Sequence, residues 1–302
     1  MSSQVKTTFL RVNRKTLASS TTDKDSIGTL KHQIKNLLNE KIYGISFSPY
    51  IGNQNPAQFD WISPEQIENR LSIVQPYVQW IRTFSCTLGN EAIAPIAKKH
   101  GLKTLVGAWI GKNLDMNEAE LDNVIRVAKE GHADMVAIGN EVILREDIPL
   151  DLLMSYLRRF KEAVPNVPVG YVDAYYTFVN EPELVDACDV IFANCYPFWE
   201  RCNIRYAVSY MKEMYAFVKK VSKDKEIVIS ETGWPTKGDS YGEALPSHIN
   251  SARYFVETYE WAKANRINII YFSSFDEAWK SAEEGEYGAY WGLWDYQGVY
   301  KF

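Results

Sequence analysis

The sequence predicts an α/β fold, a closed (β/α)8 barrel of the TIM type forming one catalytic domain. Eight short apolar runs recur along the chain, and longer helical patterns separate them. The spacing from one run to the next is roughly 22 to 40 residues, the size of a βα unit. Eight such units in succession favour a closed barrel over an open sheet. The doubly wound alternative also lacks a GxGxxG or Walker glycine loop after the first run. A chain of 302 residues can bury about three quarters of its unfolded surface, so one large core needs no staples.

Residues 1–27, dominated by Ser, Thr and Lys without a period, read as a polar tail, and the barrel is expected over 28–302. Thr29–Lys41 places Leu30, Ile34, Leu37 and Leu38 on one stripe, an amphipathic helix ahead of the first strand. The strand candidates are Ile42–Phe47, Trp80–Phe84, Leu102–Trp109, Met135–Gly139, Val167–Val172, Val190–Asn194, Ile227–Ser230 and Ile267–Ser273. Several are continuous β-branched or aromatic segments, as strands covered on both faces require. Between them, Ser63 caps a helix over Pro64–Tyr77 with Pro64 in its first turn. Glu91–His100 and Asn117–Glu130 end at Gly101 and Gly131, residues suited to the left-handed position after a helix. Pro149–Ala163 stops before Pro165, and Ile204–Ser222 and Ser247–Asn265 are longer. Asn180–Ala187 holds at most a short helix. Little helix-forming sequence follows the eighth strand, so the eighth helix is expected to be short or irregular. Residues 29–41 would cover the barrel from its N-terminal side instead.

Composition narrows the function classes. The chain is 46% hydrophobic, 24% charged and 14% aromatic, an ordinary globular balance. Its net charge is −5 with no long basic run, which disfavours a nucleic-acid partner. No stretch approaches the ~20 apolar residues of a membrane span, and the first 26 residues lack the apolar centre of a signal peptide. A removed leader would leave the same picture, so the compartment stays open: secreted or cell-surface in that case, otherwise cytoplasmic. Cys86, Cys188, Cys195 and Cys202 form no CxxC and no metal-like pairing with the four histidines. Small buried thiols are expected, with a disulfide among the last three left open. No metal, organic cofactor or protein partner is implied.

In a barrel, chemistry sits where strands end and βα loops begin. Two segments meet that condition with a carboxylate: Val136-Ala-Ile-Gly-Asn-Glu141 and Ile227-Val-Ile-Ser-Glu231-Thr-Gly-Trp-Pro235. A carboxylate directly after a buried strand is costly to desolvate unless it opens into a polar cleft. These segments close the fourth and seventh strands, so the two ends face each other across the barrel mouth. Two facing glutamates, one protonated and one ionised, are what glycoside hydrolysis requires. A single such Glu is more often a salt-bridged rim residue; two, one preceded by Asn140 and the other followed by Gly-Trp-Pro, reverse the odds. Six tryptophans (Trp109, Trp199, Trp234, Trp279, Trp291, Trp294) fall at strand C-terminal ends or just beyond, where flat rings suit pyranose faces. Tyr50, Phe198 and Phe275 could join them. Arg82 on the second strand is expected to orient a carboxylate from inside the mouth.

The chain resembles the family-17 glycoside hydrolases, the β-1,3-glucanase family of the Asn-Glu barrel clan, from about Tyr43 to Phe302. The matching segments are Tyr43-Gly-Ile-Ser-Phe-Ser-Pro-Tyr50, Ile81-Arg-Thr-Phe84, Ile138-Gly-Asn-Glu-Val142, Asn194-Cys-Tyr-Pro-Phe198, Ser230-Glu-Thr-Gly-Trp-Pro235, Phe275-Asp-Glu277 and Trp291-Gly-Leu293. The resemblance implies Glu141 as general acid/base and Glu231 as nucleophile. It also implies Asn140 on the sugar 2-hydroxyl, Tyr196 on the nucleophile, and Glu277 paired with Lys280 beside the acid, with Glu283 or Glu284 completing that network. Asp173, after the fifth strand, is read as a sugar contact, against loop capping. The implied activity is retaining, endo-acting cleavage of β-1,3-glucan, with Glu141 raised in pKa by burial and by Glu231. The first and last motifs depart from the plant glucanases towards microbial members, among which glucanosyltransferases occur, so transfer to a sugar acceptor is the alternative. A carbohydrate-binding barrel without catalysis and a metal-dependent barrel hydrolase are the rivals of other classes. The second lacks a His/Asp cluster at strand ends.

Overall fold

The computed structural model describes residues 12, 14–19 and 25–302; most of the expected polar tail lies outside the described residues. Eight parallel strands close into a barrel in sequence order, with β8 returning to β1. They are β1 (Ile42–Ser46), β2 (Val78–Arg82), β3 (Lys103–Ala108), β4 (Met135–Asn140), β5 (Val169–Ala174), β6 (Val190–Asn194), β7 (Glu226–Thr232) and β8 (Asn268–Tyr271). The expected bounds shift by a residue or two. Most clearly, β5 starts at Val169 because Pro168 has no N–H for the ladder; only its carbonyl joins, accepting from the Val136 amide at 2.9 Å. Leu105, Ala137, Val172, Phe192, Val228 and Ile270 fill the barrel interior, while a larger apolar layer lies between strands and helices.

The outer ring comprises α1 (Ile27–Asn39), α2 (Pro64–Val74), α3 (Ile93–Lys99), α4 (Leu114–Lys129), α5 (Leu150–Ala163), α6 (Tyr175–Asn180), α7 (Pro182–Ala187), α8 (Ile204–Val221) and α9 (His248–Asn265). Local chemistry sets their ends. Ser63 accepts from the Gln66 amide at 3.1 Å with Pro64 opening the helix, and Ser247 caps α9 through the Asn250 amide at 3.2 Å. Gly101 and Gly131 take the left-handed conformation after α3 and α4, as read from the sequence. Asn180–Ala187 holds one short helix, α7, as expected, and the equally short α6 comes directly before it. Pro182 cannot continue α6 and keeps Glu181 out of the helical conformation, at φ −120° and ψ 76°, but it suits the first turn of α7.

The eighth helix is irregular, as anticipated: a 3-10 turn (Ala278–Lys280), the one-turn α10 (Ser281–Glu284) and a second 3-10 turn (Glu286–Tyr290). The place of a full eighth helix is taken by α1. It buries Leu30, Ile34 and Leu38 and packs along α9 and the turn before β2. The four cysteines are free and buried. No described helix is long and apolar enough to cross a membrane.

Candidate active site

The site is built where β4 and β7 depart from regular pairing. On the β4–β5 edge Ala137 pairs with Gly170 but Asn140 with Val172, so β4 carries one residue more than its neighbour. On the β6–β7 edge Ala193 pairs with Ile229 and Asn194 with Glu231, leaving Ser230 as the extra residue. Such bulges re-aim the side chains that follow them. Gly139 makes the first possible: at φ +84°, a Cβ there would lie 2.7 Å from the Val142 side chain. Glu141 itself sits at φ +52°, a left-handed conformation that a non-glycine residue holds only when its surroundings fix it. Those surroundings are hydrogen bonds. The Glu141 amide donates to the Val172 carbonyl at 2.8 Å, and its own carbonyl accepts from the Arg145 amide at 2.8 Å.

The two carboxylates have contrasting neighbours. Glu231 is buried and clamped: Arg82 Nη1 lies 2.5 Å from Oε1, and the Tyr196 hydroxyl donates to Oε2 at 2.8 Å. Arg82 also donates from Nη2 to Asn140 Oδ1 at 2.7 Å, which ties Glu231 to the residue before Glu141. Glu141 receives one neutral donor, Asn194 Nδ2, at 2.8 Å; Ser230 Oγ donates to the other end of that amide at 2.8 Å and sets its orientation. Burial, and after it the charge of Glu231, push Glu141 up to about 7. A group near 7 can give a proton and take it back close to neutrality.

Beside this pair lies the acidic cluster of the β8 loop. Lys280 Nζ is 2.6 Å from Glu277 Oε2, and Trp279 Nε1 donates to Glu277 Oε1 at 3.2 Å. The ammonium also rests 4.2 Å from the Phe272 ring centroid. Glu284 accepts from Trp291 Nε1 at 3.3 Å, and burial raises it to about 7 against the opposing pull of Lys280.

These groups line one cleft of about 600 Å³ at the C-terminal mouth of the barrel. It brings together Glu141, Glu231, Asn140, Tyr50, Tyr196, Trp199, Glu277, Trp279 and Lys280. Five of the expected sugar-contacting residues do not line it, among them Trp294, which is buried against Tyr77 and Tyr300. Phe198 and Trp234 pack against each other beneath the wall, rings 5.2 Å apart. Phe275 is covered by the Arg70 guanidinium at 3.4 Å. Asp173, 0% exposed, caps the turn: the Ala174 amide donates to it at 2.7 Å and Thr177 Oγ1 at 3.0 Å. The Tyr171 hydroxyl also donates to Asp173 while accepting from the Ile143 amide at 2.9 Å. Its loop-capping alternative is the one the geometry supports, and what it supports is the turn carrying Glu141.

The structure adds residues that the sequence reading did not single out. Asn194 carried the same signal as the glutamates, a polar residue ending an apolar strand. Arg145 carried none: it reaches back to the Asn140 carbonyl, donates to the Ile110 carbonyl at 3.2 Å, pairs with Asp147 at 2.6 Å and stacks on Trp109 at 4.5 Å. Glu120, inside α4, looks like any solvated helix charge. Instead it is buried, receiving the Cys86 amide at 2.6 Å, Thr87 Oγ1 at 2.7 Å and the Trp109 amide at 3.1 Å, and so joins the loops after β2 and β3.

Residues 44–292 match the BtgE/BtgC glycoside hydrolase domain. Among curated proteins, the glucan 1,3-β-glucosidase BGL2 of Candida albicans is 26% identical over 260 residues, covering 78% of this chain and 84% of that protein. Among solved structures, the family-17 β-1,3-glucanosyltransferase of Rhizomucor miehei superimposes with a TM-score of 0.78 at 25% identity, over 87% of this chain and 96% of the other. The endo-laminarinase of Formosa Hel1_33_131 shares the fold, with a TM-score of 0.73 at 19% identity over 89% of this chain and 87% of its own.

Proposed function

The chain belongs to the BtgE/BtgC glycoside hydrolase family, and from that premise we propose that it is a retaining, endo-acting glycoside hydrolase of β-1,3-glucan. The observation that carries this reading is the asymmetry of the two carboxylates. One is clamped by Arg82 and Tyr196; the other is raised to about 7 by burial and by the first. A double displacement needs this division of labour.

In the first step the Glu141 carboxyl gives its proton to the glycosidic oxygen as the C1–O bond breaks. A Glu231 oxygen bonds to C1, forming a glycosyl-enzyme ester. Tyr196 and Arg82 hold that carboxylate in line and keep its second oxygen engaged. In the second step Glu141, now ionised, takes a proton from the incoming hydroxyl, whose oxygen attacks C1 and releases Glu231. Asn140, oriented by Arg82, presents its amide towards the sugar at the reacting centre. The Lys280–Glu277 pair lines the adjoining wall, where the Lys280 charge opposes the rise of Glu284.

Water as acceptor gives hydrolysis. A sugar hydroxyl gives transfer, a second reading favoured by the likeness to the Rhizomucor transferase and by the Trp199, Trp279 and Trp291 rings on the cleft wall. Product analysis over time on laminari-oligosaccharides tests both. Shorter products of unchanged anomeric configuration are expected for hydrolysis, and products longer than the starting oligomer for transfer. Inverted anomers, or no turnover of any β-1,3-linked oligomer, would overturn the proposal.

A further inference from the structure

The turn that carries Glu141 is folded against its own preference. Gly139 (φ +84°), Glu141 (φ +52°) and Glu146 (φ +53°) all take left-handed conformations, and for the two glutamates that region is unfavourable unless the surroundings impose it. Short backbone bonds close the turn. The Arg145 amide donates to the Glu141 carbonyl at 2.8 Å, the Glu146 amide to Ile143 at 3.2 Å and the Asp147 amide to Val142 at 3.1 Å. The direction in which the acid leaves its strand is then set by one peptide, the link from Asn140 to Glu141. Both edges of that link are gripped. Its N–H donates to the Val172 carbonyl of β5 at 2.8 Å, and its C=O accepts from Arg145 Nη1.

Arg145 holds that carbonyl from a fixed position of its own. Nε donates to Asp147 Oδ2 at 2.8 Å, and Nη2 lies 2.6 Å from the same oxygen. Nη2 also donates to the Ile110 carbonyl at 3.2 Å, and the guanidinium rests 4.5 Å from the Trp109 ring centroid. The side chain thus bolts the loop after β3 to the loop after β4, at the acid's own backbone. It borders the cleft, yet each of its three nitrogens is engaged by a protein acceptor, so its donors are directed at the loop and not at a ligand. A planar fork is what this arrangement needs; a lysine ammonium has no plane to stack and no second nitrogen. Arg145 also brings a positive charge to bear on Glu141. Burial, Glu231 and Asp173 raise that carboxyl to about 7, while Asn194 and Arg145 oppose them. Tyr176 and Tyr196, which also face it, are pushed up by burial and stay neutral there.

We propose that Arg145 is the positioning residue of the acid/base: by fixing the Asn140–Glu141 peptide it aims the Glu141 carboxyl at the glycosidic oxygen without touching the substrate itself. The inference rests on the retaining-hydrolase reading and deepens it at the protonation step. A misaimed acid fails selectively. The oxygen of a poor leaving group departs only as it takes a proton, and that transfer demands hydrogen-bond reach; an oxygen whose anion is already stable departs unaided. Damage to the nucleophile or to sugar binding spares neither.

The test compares wild type, Arg145→Met and Arg145→Lys on phenyl and 2,4-dinitrophenyl β-laminaritrioside, which share their sugars and differ only in the leaving group. The readout is kcat/KM, which reports the steps up to the glycosyl-enzyme. For Arg145→Met it is expected to fall about 10- to 100-fold on the phenyl glycoside and less than about threefold on the dinitrophenyl one. Arg145→Lys keeps the charge but not the fork and should show the same split in milder form; it carries the test if the Met variant does not fold. Carbon-13 NMR of glutamate-labelled protein separates aim from charge: the Glu141 midpoint should rise in Arg145→Met and stay in place in Arg145→Lys. Equal losses on the two glycosides, or none, would overturn the inference. If the wild type cleaves neither glycoside, the hydrolase reading falls, and the midpoint alone decides whether Arg145 acts on Glu141: a rise in Arg145→Met supports it and an unmoved midpoint refutes it.

Discussion

Replacing Glu231 by Gln removes the negative charge that Glu141 faces while keeping the size of the side chain. An ionised neighbour disfavours ionisation of Glu141, so its loss lowers the Glu141 pKa. Glu141 stands at about 7 against an ordinary 4.5, a rise corresponding to roughly 3.4 kcal/mol at 1.36 kcal/mol per unit. Burial is the larger cause and Glu231 the second. The Asn194 hydrogen bond and the Arg145 charge pull the other way, so removing Glu231 takes away the second-largest raising cause and leaves the largest in place. Arg82, left without its partner, acts in the same direction from farther off. In Glu231→Gln the Glu141 midpoint is expected to fall below about 7 and to stay above the ordinary carboxylate range because burial persists. Carbon-13 NMR of glutamate-labelled protein reads this directly, with the resonance assigned by its loss in Glu141→Gln. A midpoint unchanged or raised would show that the two carboxylates share no electrostatic space. A fall all the way to the ordinary value would show that burial is not the leading cause.

The same raised pKa has a cost in stability. Folded Glu141 keeps its proton up to about 7 and the unfolded residue releases it near 4.5, so its contribution is present below the lower value and is lost as pH rises through the upper one. Glu141→Gln, neutral throughout, should raise the thermal midpoint more at about pH 8 than at about pH 4.5, the difference reaching up to about 3 kcal/mol; equal gains in calorimetry at the two pH values would refute it. Arg82→Met leaves Glu231 buried beside a hydrophobe and is expected to lower unfolding stability by about 3–5 kcal/mol. Urea titration checks this, and Arg82→Met/Glu231→Gln should recover part of the loss; no recovery would assign the damage to packing. Asn194→Ala removes the hydrogen bond that favours ionised Glu141, so the alkaline limb of the kcat profile should move to higher pH as kcat falls. An unmoved limb would mean that the bond does not act on the acid.

The barrel was legible because each unit announces itself twice, by an apolar run and by its own caps and stops. Ser63 with Pro64, and Gly101 and Gly131, mark helix ends without knowledge of the rest. The glutamates were legible for a similar local reason, a charged residue closing a buried strand. What escaped depends on contacts between distant parts of the chain. Glu120 sits on a helix that looks solvated, and its burial exists only because the loops after β2 and β3 fold over it. Phe198, Trp234 and Phe275 lie in the right loops, yet sequence does not say which ring of an aromatic cluster faces outward and which supports it. Asp173 shares the strand-end signal of Glu231, but Tyr171, Thr177 and two backbone amides absorb it. Strand-end position finds the mouth of the barrel; only packing separates its lining from its foundation.

The placement of α1 also bears on how the molecule comes to be made. Its buried stripe rests on α9, more than two hundred residues later in the chain. During synthesis the earlier helix emerges with a greasy flank and waits for its partner until nearly every βα unit has been produced, an interval in which exposed apolar surface invites misassembly. A permuted gene that moves residues 25–41 behind Phe302 would deliver both helices together, and should shorten that vulnerable wait without altering the finished enzyme.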